Sequence, residues 1–280
     1  MNGRVTVPTV RQAKDVRRLV MITAYDAATA RWGEAAGADL LLVGDSLAMV
    51  VLGHENTLSV TLEEMLHHAK AVSRISKRAL VVGDLPFGSY QTGSQATVEA
   101  GIRFLKEAGV QAVKLEGRWP DRVEHLVKAG IPVMGHLGLT PQSVHAMGGY
   151  RVQGRSYDAA RDLLEASLEL ERAGCFSLVL EGVPAEVASV ITSRLEIPTI
   201  GIGAGPDCDG QVLVVHDLLG ITPPPLPRFV TPYASLADDA TGALKRWAED
   251  VRTGKTPTTE QSYHLSAETA ALWASDHSEA

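Results

Sequence analysis

The stretch ALVVGDLPFGSYQTGSQATVEAGIRFLKEAGVQAVKLEG (residues 79–117) holds one complete strand–helix–strand unit. ALVVGD (79–84) is apolar and β-branched up to its last residue, VEAGIRFLKEAG after Thr97 has helical period, and AVKLEG (112–117) is a second strand. Near-continuous apolar runs of this kind belong to parallel strands covered on both faces. Gly109, after the last helical turn, is the expected left-handed cap, and the short link beyond it puts the next strand directly beneath the helix. Both strands end in charge, at Asp84 and at Lys114 with Glu116.

The same unit recurs to either side. Apolar runs occupy VMITAYD (20–26), LLLVGDS (40–46), PVMGHLG (132–138), SLVLEG (177–182), PTIGIGAG (198–205) and VLVVHDLLG (212–220), which with the first two makes eight strands. Helical segments with cap signals lie between them: Asp26 before AATARWGEAAG, and Thr61 with Glu64 before MLHHAKAVSRIS. The Ala-Gly ending recurs in EAAGADLLLVGD, VKAGIPVMGH and ERAGCFSLVLEG. Strict alternation with a count of eight predicts an α/β protein built as a closed (β/α)8 TIM barrel. A doubly wound sheet has fewer strands and a nucleotide fingerprint, and neither G-x-G-x-x-G nor a Walker A sequence occurs.

At 280 residues and 45% hydrophobic, the chain reads as a single domain, with a core at about 19–221, an extension over 222–265 and a polar tail over 266–280. ALKRWAEDVRTG (243–254) predicts a helix, after the proline-rich ITPPPLPRFVTPY. Twenty-six basic against 33 acidic residues give a formal charge of -7, with no basic run, which argues against a nucleic-acid partner. Cys175 and Cys208 lack any disulfide or metal spacing, the N-terminus has no signal-peptide pattern, and no apolar run reaches membrane-spanning length. A cytoplasmic protein is expected.

Polar residues at the same end of several buried strands need a chemical reason, because a carboxylate there is costly unless paired or metal-bound. Asp45 and Asp84 each close a V-G-D sequence on neighbouring strands, so a divalent cation shared between them is the expected resolution, the alternative being a helix N-cap. Lys114 and Glu116 alternate on one strand and so share a face, as an anion-neutralising pair, as an internal salt bridge, or with Lys114 as a Schiff-base amine. His136 reads as a metal ligand, a donor to a carboxylate or enolate oxygen, or a structural histidine, and Ser46 as a substrate contact or a helix cap. Glu181, ending LVLEG, is the candidate general base for a carbon acid. The loops 47–61 and 139–157 are candidate substrate walls. GIGAG (201–205) admits either close ligand approach or tight packing, and His54, His67, His68, His125, His145 and His216 show no metal spacing.

Beyond these readings, the chain resembles the ketopantoate hydroxymethyltransferase family. The likeness runs from about residue 19 to 265 through ITAYD (22–26), LLVGDSLAMVVLGHENTLSVT (41–61), KLEG (114–117), GHLGLTPQSV (135–144), GGYRVQGR (148–155), LVLEGVPAEVA (178–188) and IPTIGIGAGPDCDGQVLVVHDLLGI (197–221). It implies a barrel of the phosphoenolpyruvate/pyruvate type with a C-terminal helical extension, assembled as a homodecamer. It also implies one Mg2+ per subunit on Asp45 and Asp84 with Glu116 close by, an α-keto acid lined by Asp45, Ser46, Asp84, Lys114 and His136, and Glu181 as base. The implied reaction joins 3-methyl-2-oxobutanoate, as an enolate stabilised by Mg2+, to the one-carbon unit of 5,10-methylenetetrahydrofolate. Departures from the family pattern at Ala48, Gly88, Arg118 and Gly182 touch none of these groups. A C–C lyase or mutase on the same barrel, acting without folate, and a non-catalytic binding barrel are the rival readings.

Overall fold

In a computed structural model, which describes residues 3–277, the eight apolar runs form eight parallel strands closed in chain order. They are β1 (Leu19–Thr23), β2 (Leu40–Val43), β3 (Leu80–Asp84), β4 (Ala112–Glu116), β5 (Val133–Gly138), β6 (Ser177–Glu181), β7 (Thr199–Ile202) and β8 (Gly210–Leu213). β8 returns to β1 through the pairing of Leu19 with Gly210. Helices follow β1 (Ala27–Ala35), β2 (Leu62–Ile75), β3 (Ser94–Arg103), β4 (Pro120–Lys128), β5 (Tyr157–Arg172), β6 (Ala185–Arg194) and β8 (Val215–Leu218). The chain divides into two compact units, Met1–Tyr233 with the barrel and Ala234–Ala280. Positions 1–2 of the N-terminal segment and 278–280 of the predicted polar tail lie outside the described residues.

Period-two alternation sorts each strand into two cores. Leu41, Val81, Val113, Leu115 and Leu178 face outward and pack against the helices, while Leu42, Val82, Ala112, Met134 and Val179 fill the barrel interior. Val5, Val10 and Ala13 join the interior cluster, around a short helix at Val7–Arg11 that Thr6 and Thr9 cap reciprocally. This closes the end of the barrel where the strands begin and leaves the strand C-termini as its mouth. Each large apolar side chain buried in this way contributes roughly 1.5–3 kcal/mol.

The predicted cap signals are found at Asp26, whose carboxylate receives Thr29 N–H at 2.7 Å, and at Thr61, which forms a capping box with Glu64. Gly37, Gly109, Gly130 and Gly174, the four Ala-Gly endings, all have positive φ. Three expectations need correction. Thr97 does not start a helix: the helix begins at Ser94 after Gly93, and the Thr97 hydroxyl instead donates back to the Gly93 carbonyl at 2.8 Å. The eighth strand is Gly210–Leu213 and not 212–220, because the pairing with β1 begins earlier and VHDL then turns into a helix. Strict alternation also fails between β7 and β8, where residues 203–209 return without a helix. In that link Gly205 is pressed against Ala185 so closely that a Cβ would overlap it, and a Cβ on Gly203 would meet the Phe229 ring at 2.6 Å. Tight packing accounts for GIGAG.

In the second unit the predicted helix starts earlier, spanning Leu236–Arg252, and the polar tail carries a further helix at Ala267–Asp276. Neither helix contains a buried residue. No helix among the described residues is long and apolar enough to cross a membrane.

Candidate active site

Parallel pairing brings the strand-end polar groups together. Asp84 on β3 is in register with Lys114 on β4, Glu116 with His136 on β5, and Gly138 with Glu181 on β6. All but Glu181 are buried; its side chain is 17% exposed and so borders the opening of the mouth. Asp45, just past β2, is buried beside Asp84, and its own N–H donates to Asp84 Oδ2 at 3.3 Å.

Lys114 lies at the centre. Its Nζ is 2.9 Å from Asp84 Oδ2, 3.2 Å from His136 Nδ1 and 3.9 Å from Glu116 Oε1. His136 Nδ1 is 3.4 Å from Glu116 Oε1, while its Nε2 lies 3.2 Å from Glu181 Oε2 but off the line of a hydrogen bond. The chain of contacts therefore runs Asp84–Lys114–His136–Glu181 across the mouth. Desolvation opposes the Lys114 charge, but Asp84, Glu116 and Asp45 outweigh it and raise its pKa. Lys114 is thus a fixed cation, unsuited to act as a Schiff-base amine. Burial and the Lys114 charge work against an imidazolium at His136, yet Glu116 and Glu181 lift its pKa to about 9.

The carboxylates divide in the same terms. Burial, followed by the charges of Asp84 and Glu116, pushes Asp45 well above the usual carboxylate range. Asp84 is also raised by burial, against the pull of Lys114. Burial opposes the Glu116 charge too, but His136, Lys114 and the Gln142 N–H hold it below its ordinary value. Asp45, Asp84 and Glu116 offer oxygens that all lie within 4.8 Å of one another, and Asp84 Oδ1 is buried without a hydrogen-bond partner. An orphaned buried oxygen and a surplus of negative charge are what a divalent cation relieves, so these residues fit one.

Ser46 makes no side-chain cap to the Leu47–Val50 helix, and its hydroxyl instead shares a 2.8 Å hydrogen bond with Tyr25 OH. The two long loops meet over the mouth, where Tyr150 OH lies 3.7 Å from Met49 Sδ. The sequence reading missed two buried residues. Gln142 donates from Nε2 to Asp45 Oδ2 at 2.9 Å, and Tyr90 OH donates to Gln142 Oε1 at 2.6 Å. Both stand in loop sequences, where a polar residue carries no signal of its own; only their closeness to the strand-end motifs hinted at a role.

A profile of ketopantoate hydroxymethyltransferase sequences matches residues 4–259. The chain belongs to the ketopantoate hydroxymethyltransferase family. Within the family, the 3-methyl-2-oxobutanoate hydroxymethyltransferase of Oleidesulfovibrio alaskensis is 55% identical over 271 residues, covering 96% of this chain and 94% of that protein. The protein of the same name from Thermobifida fusca is 56% identical over 265 residues, covering 94% of each. Among solved structures, 2,3-dimethylmalate lyase, a member of the PEP mutase/isocitrate lyase superfamily, superposes with a TM-score of 0.57. At 16% identity over 96% of this chain and 98% of that one, this likeness shows the barrel fold alone and nothing of its chemistry.

Proposed function

We propose that this chain transfers a hydroxymethyl group from 5,10-methylenetetrahydrofolate to 3-methyl-2-oxobutanoate, producing ketopantoate for coenzyme A precursor synthesis. The observation that carries the reading is the Lys114–His136–Glu181 line meeting three clustered carboxylates at the mouth of this family's barrel. Asp45 and Asp84 hold one Mg2+ per subunit, with Glu116 beside it. When bound, the cation supplies a Lewis acid that favours negative charge on a keto oxygen.

The side chains supply the rest. The Lys114 ammonium, with His136 beside it, makes a floor for the substrate carboxylate, and Ser46 offers a hydroxyl at its edge. Glu181, the most open carboxylate of the set, takes the proton from C3. The C3 electron pair then bonds to the one-carbon unit as the bond from that carbon to one folate nitrogen breaks. Water displaces the second folate nitrogen to leave the hydroxyl, and the two nitrogens take up the protons lost by C3 and by water. His136 Nε2, 3.2 Å from Glu181 Oε2, stands beside the base and limits the directions its carboxylate can take. The two cysteines are free and buried, in keeping with a cytoplasmic compartment, and the family likeness carries a homodecamer that light scattering can read.

Incubation with Mg2+ and 3-methyl-2-oxobutanoate in D2O, followed by NMR, tests the assignment. Wild type exchanges the C3 proton and yields ketopantoate only when the folate is added. Absence of exchange in wild type, or full exchange in Glu181→Gln, would falsify the role of Glu181. Exchange without any folate-dependent product would favour a lyase or mutase.

A further inference from the structure

We infer that Gln142, held by Tyr90, is a positioning residue that sets the carboxylate cluster at the spacing a divalent cation requires. This rests on the proposed metal site. Gln142 reaches the C-terminal end of each of the three strands that carry the cluster. Its Nε2 donates to Asp45 Oδ2 after β2 and to the Leu85 carbonyl after β3, both at 2.9 Å. Its backbone N–H donates to Glu116 Oε2 at the end of β4, also at 2.9 Å. One residue, delivered by the loop after β5, therefore ties together Asp45, the Asp84 strand end and Glu116.

The amide can lie only one way round. Both Nε2 hydrogens are used, and Oε1 accepts from Tyr90 OH at 2.6 Å. A flipped amide would set its carbonyl oxygen against the Asp45 carboxylate and the Leu85 carbonyl, acceptor against acceptor. Tyr90 fixes the orientation from the other side, because its hydroxyl also receives Glu116 N–H at 3.3 Å and so registers Gln142 against the β4 backbone. Both side chains are buried, so water does not substitute for either bond. Asp45 and Glu116 place carboxylate oxygens within 4.8 Å of each other, and the two donors of Gln142 oppose the repulsion between them. An amide serves here where a carboxylate would add a further negative charge and a lysine would neutralise the cluster. Partners of this kind, one shell out from a metal, are worth about 10–100-fold in affinity.

The test is Mn2+ binding to the full-length protein, followed by electron paramagnetic resonance titration and by calorimetry, with circular dichroism melts alongside. Gln142→Met, of similar length but without hydrogen bonds, is expected to weaken Mn2+ about tenfold or more. Tyr90→Phe, which removes one oxygen and keeps the ring, weakens it severalfold and stays informative if Gln142→Met does not fold. Both effects persist at temperatures where the folded baseline is unchanged, which a purely structural role would not produce. Asp84→Asn serves as the control. If it loses Mn2+ while Tyr90→Phe and every folded Gln142 variant bind at wild-type affinity, the positioning role is overturned and the metal site stands. If Asp84→Asn itself binds as wild type does, the metal site fails, and this inference with it.

Discussion

Gly138 and Glu181 stand so close that the backbone of one is shaped by the other: a Cβ on Gly138 would overlap the Glu181 carbonyl oxygen. Gly138 also has φ +96, and Leu139 N–H donates to that same carbonyl at 2.7 Å. Close approach and left-handed backbone both demand glycine. Gly138→Ala is therefore expected to cost about 1–3 kcal/mol in strain alone. Because it moves the backbone that carries the base, it should slow C3 exchange more than tenfold in protein that is still folded. Exchange at the wild-type rate in a folded Gly138→Ala variant would separate the two residues functionally.

Metal removal should be visible in stability. Asp45, Asp84 and Glu116 repel one another within 4.8 Å, with Lys114 as their one buried ammonium partner among the described residues. Mg2+ at a hundred times its dissociation constant adds about 2.7 kcal/mol. For a chain this long that corresponds to several degrees in Tm, at about 2–4 °C per kcal/mol. Scanning calorimetry should show Tm falling with a chelator and recovering with Mg2+, while Asp84→Asn shows no such difference. A chelator-insensitive wild type in Mg2+-containing buffer would count against the site.

The reasons some of this was legible in the sequence, and some not, are physical. In a strand covered on both faces every position is apolar by default, so Asp84, Lys114, Glu116, His136 and Glu181 stand out against Val and Leu, and the two-residue period tells which share the interior. Asp26 and Thr61 were readable because a cap needs a short polar side chain at one fixed spacing. Gln142 and Tyr90 were not, since polar residues in loops are ordinary until the fold shows them buried against Asp45 and Glu116. VLVVHDLLG misled because a short apolar run suits a strand or a buried helix equally, and pairing with β1, invisible in the run itself, chose Gly210–Leu213. Thr97 has the chemistry of a cap but spends its hydroxyl on the carbonyls of Gly93 and Tyr90.

Glu34 offers a test away from the mouth. Its carboxylate accepts from Ser76 Oγ at 2.5 Å, Ala79 N–H at 2.9 Å and Lys77 and Arg78 N–H at 3.1 Å, binding the end of one helix to the turn that leads into β3. Partial burial works against its charge, but these donors outweigh it and hold its pKa below the ordinary 4.5. A depressed folded pKa gives stability that is complete above the unfolded value and lost as pH falls through the folded one. Glu34→Ala should then cost roughly 1–3 kcal/mol at pH 7. The gap from wild type should begin to narrow below about pH 4.5, as the unfolded chain takes up its proton first, and go on narrowing as pH falls through the lower folded value. Denaturant titrations of both proteins at pH 7 and pH 4 would show it, and a pH-independent gap would mean that the hydrogen bonds hold no net charge.

Gly83 sits immediately before Asp84, and a Cβ there would stand 2.5 Å from Cδ1 of the Phe104 ring, which is wholly buried. The aromatic ring thus lies directly on the β3 backbone, and the absence of a side chain at Gly83 lets the strand end carry Asp84 into contact with Lys114 at 2.9 Å. Gly83→Ala should force either the ring outward or the strand inward, at about 1–3 kcal/mol for an overpacked core. Phe104→Leu alone leaves part of a cavity and is also destabilising. Combined, the smaller side chain makes room for the new methyl, so the double variant should be more stable than the two single costs predict, with a coupling of roughly 0.5–3 kcal/mol. Mn2+ affinity should follow the same pattern, weakened in Gly83→Ala and recovered in part in the double variant, because the displaced element is the one that carries Asp84. Strict additivity in both stability and Mn2+ binding would show that the ring does not set the position of Asp84.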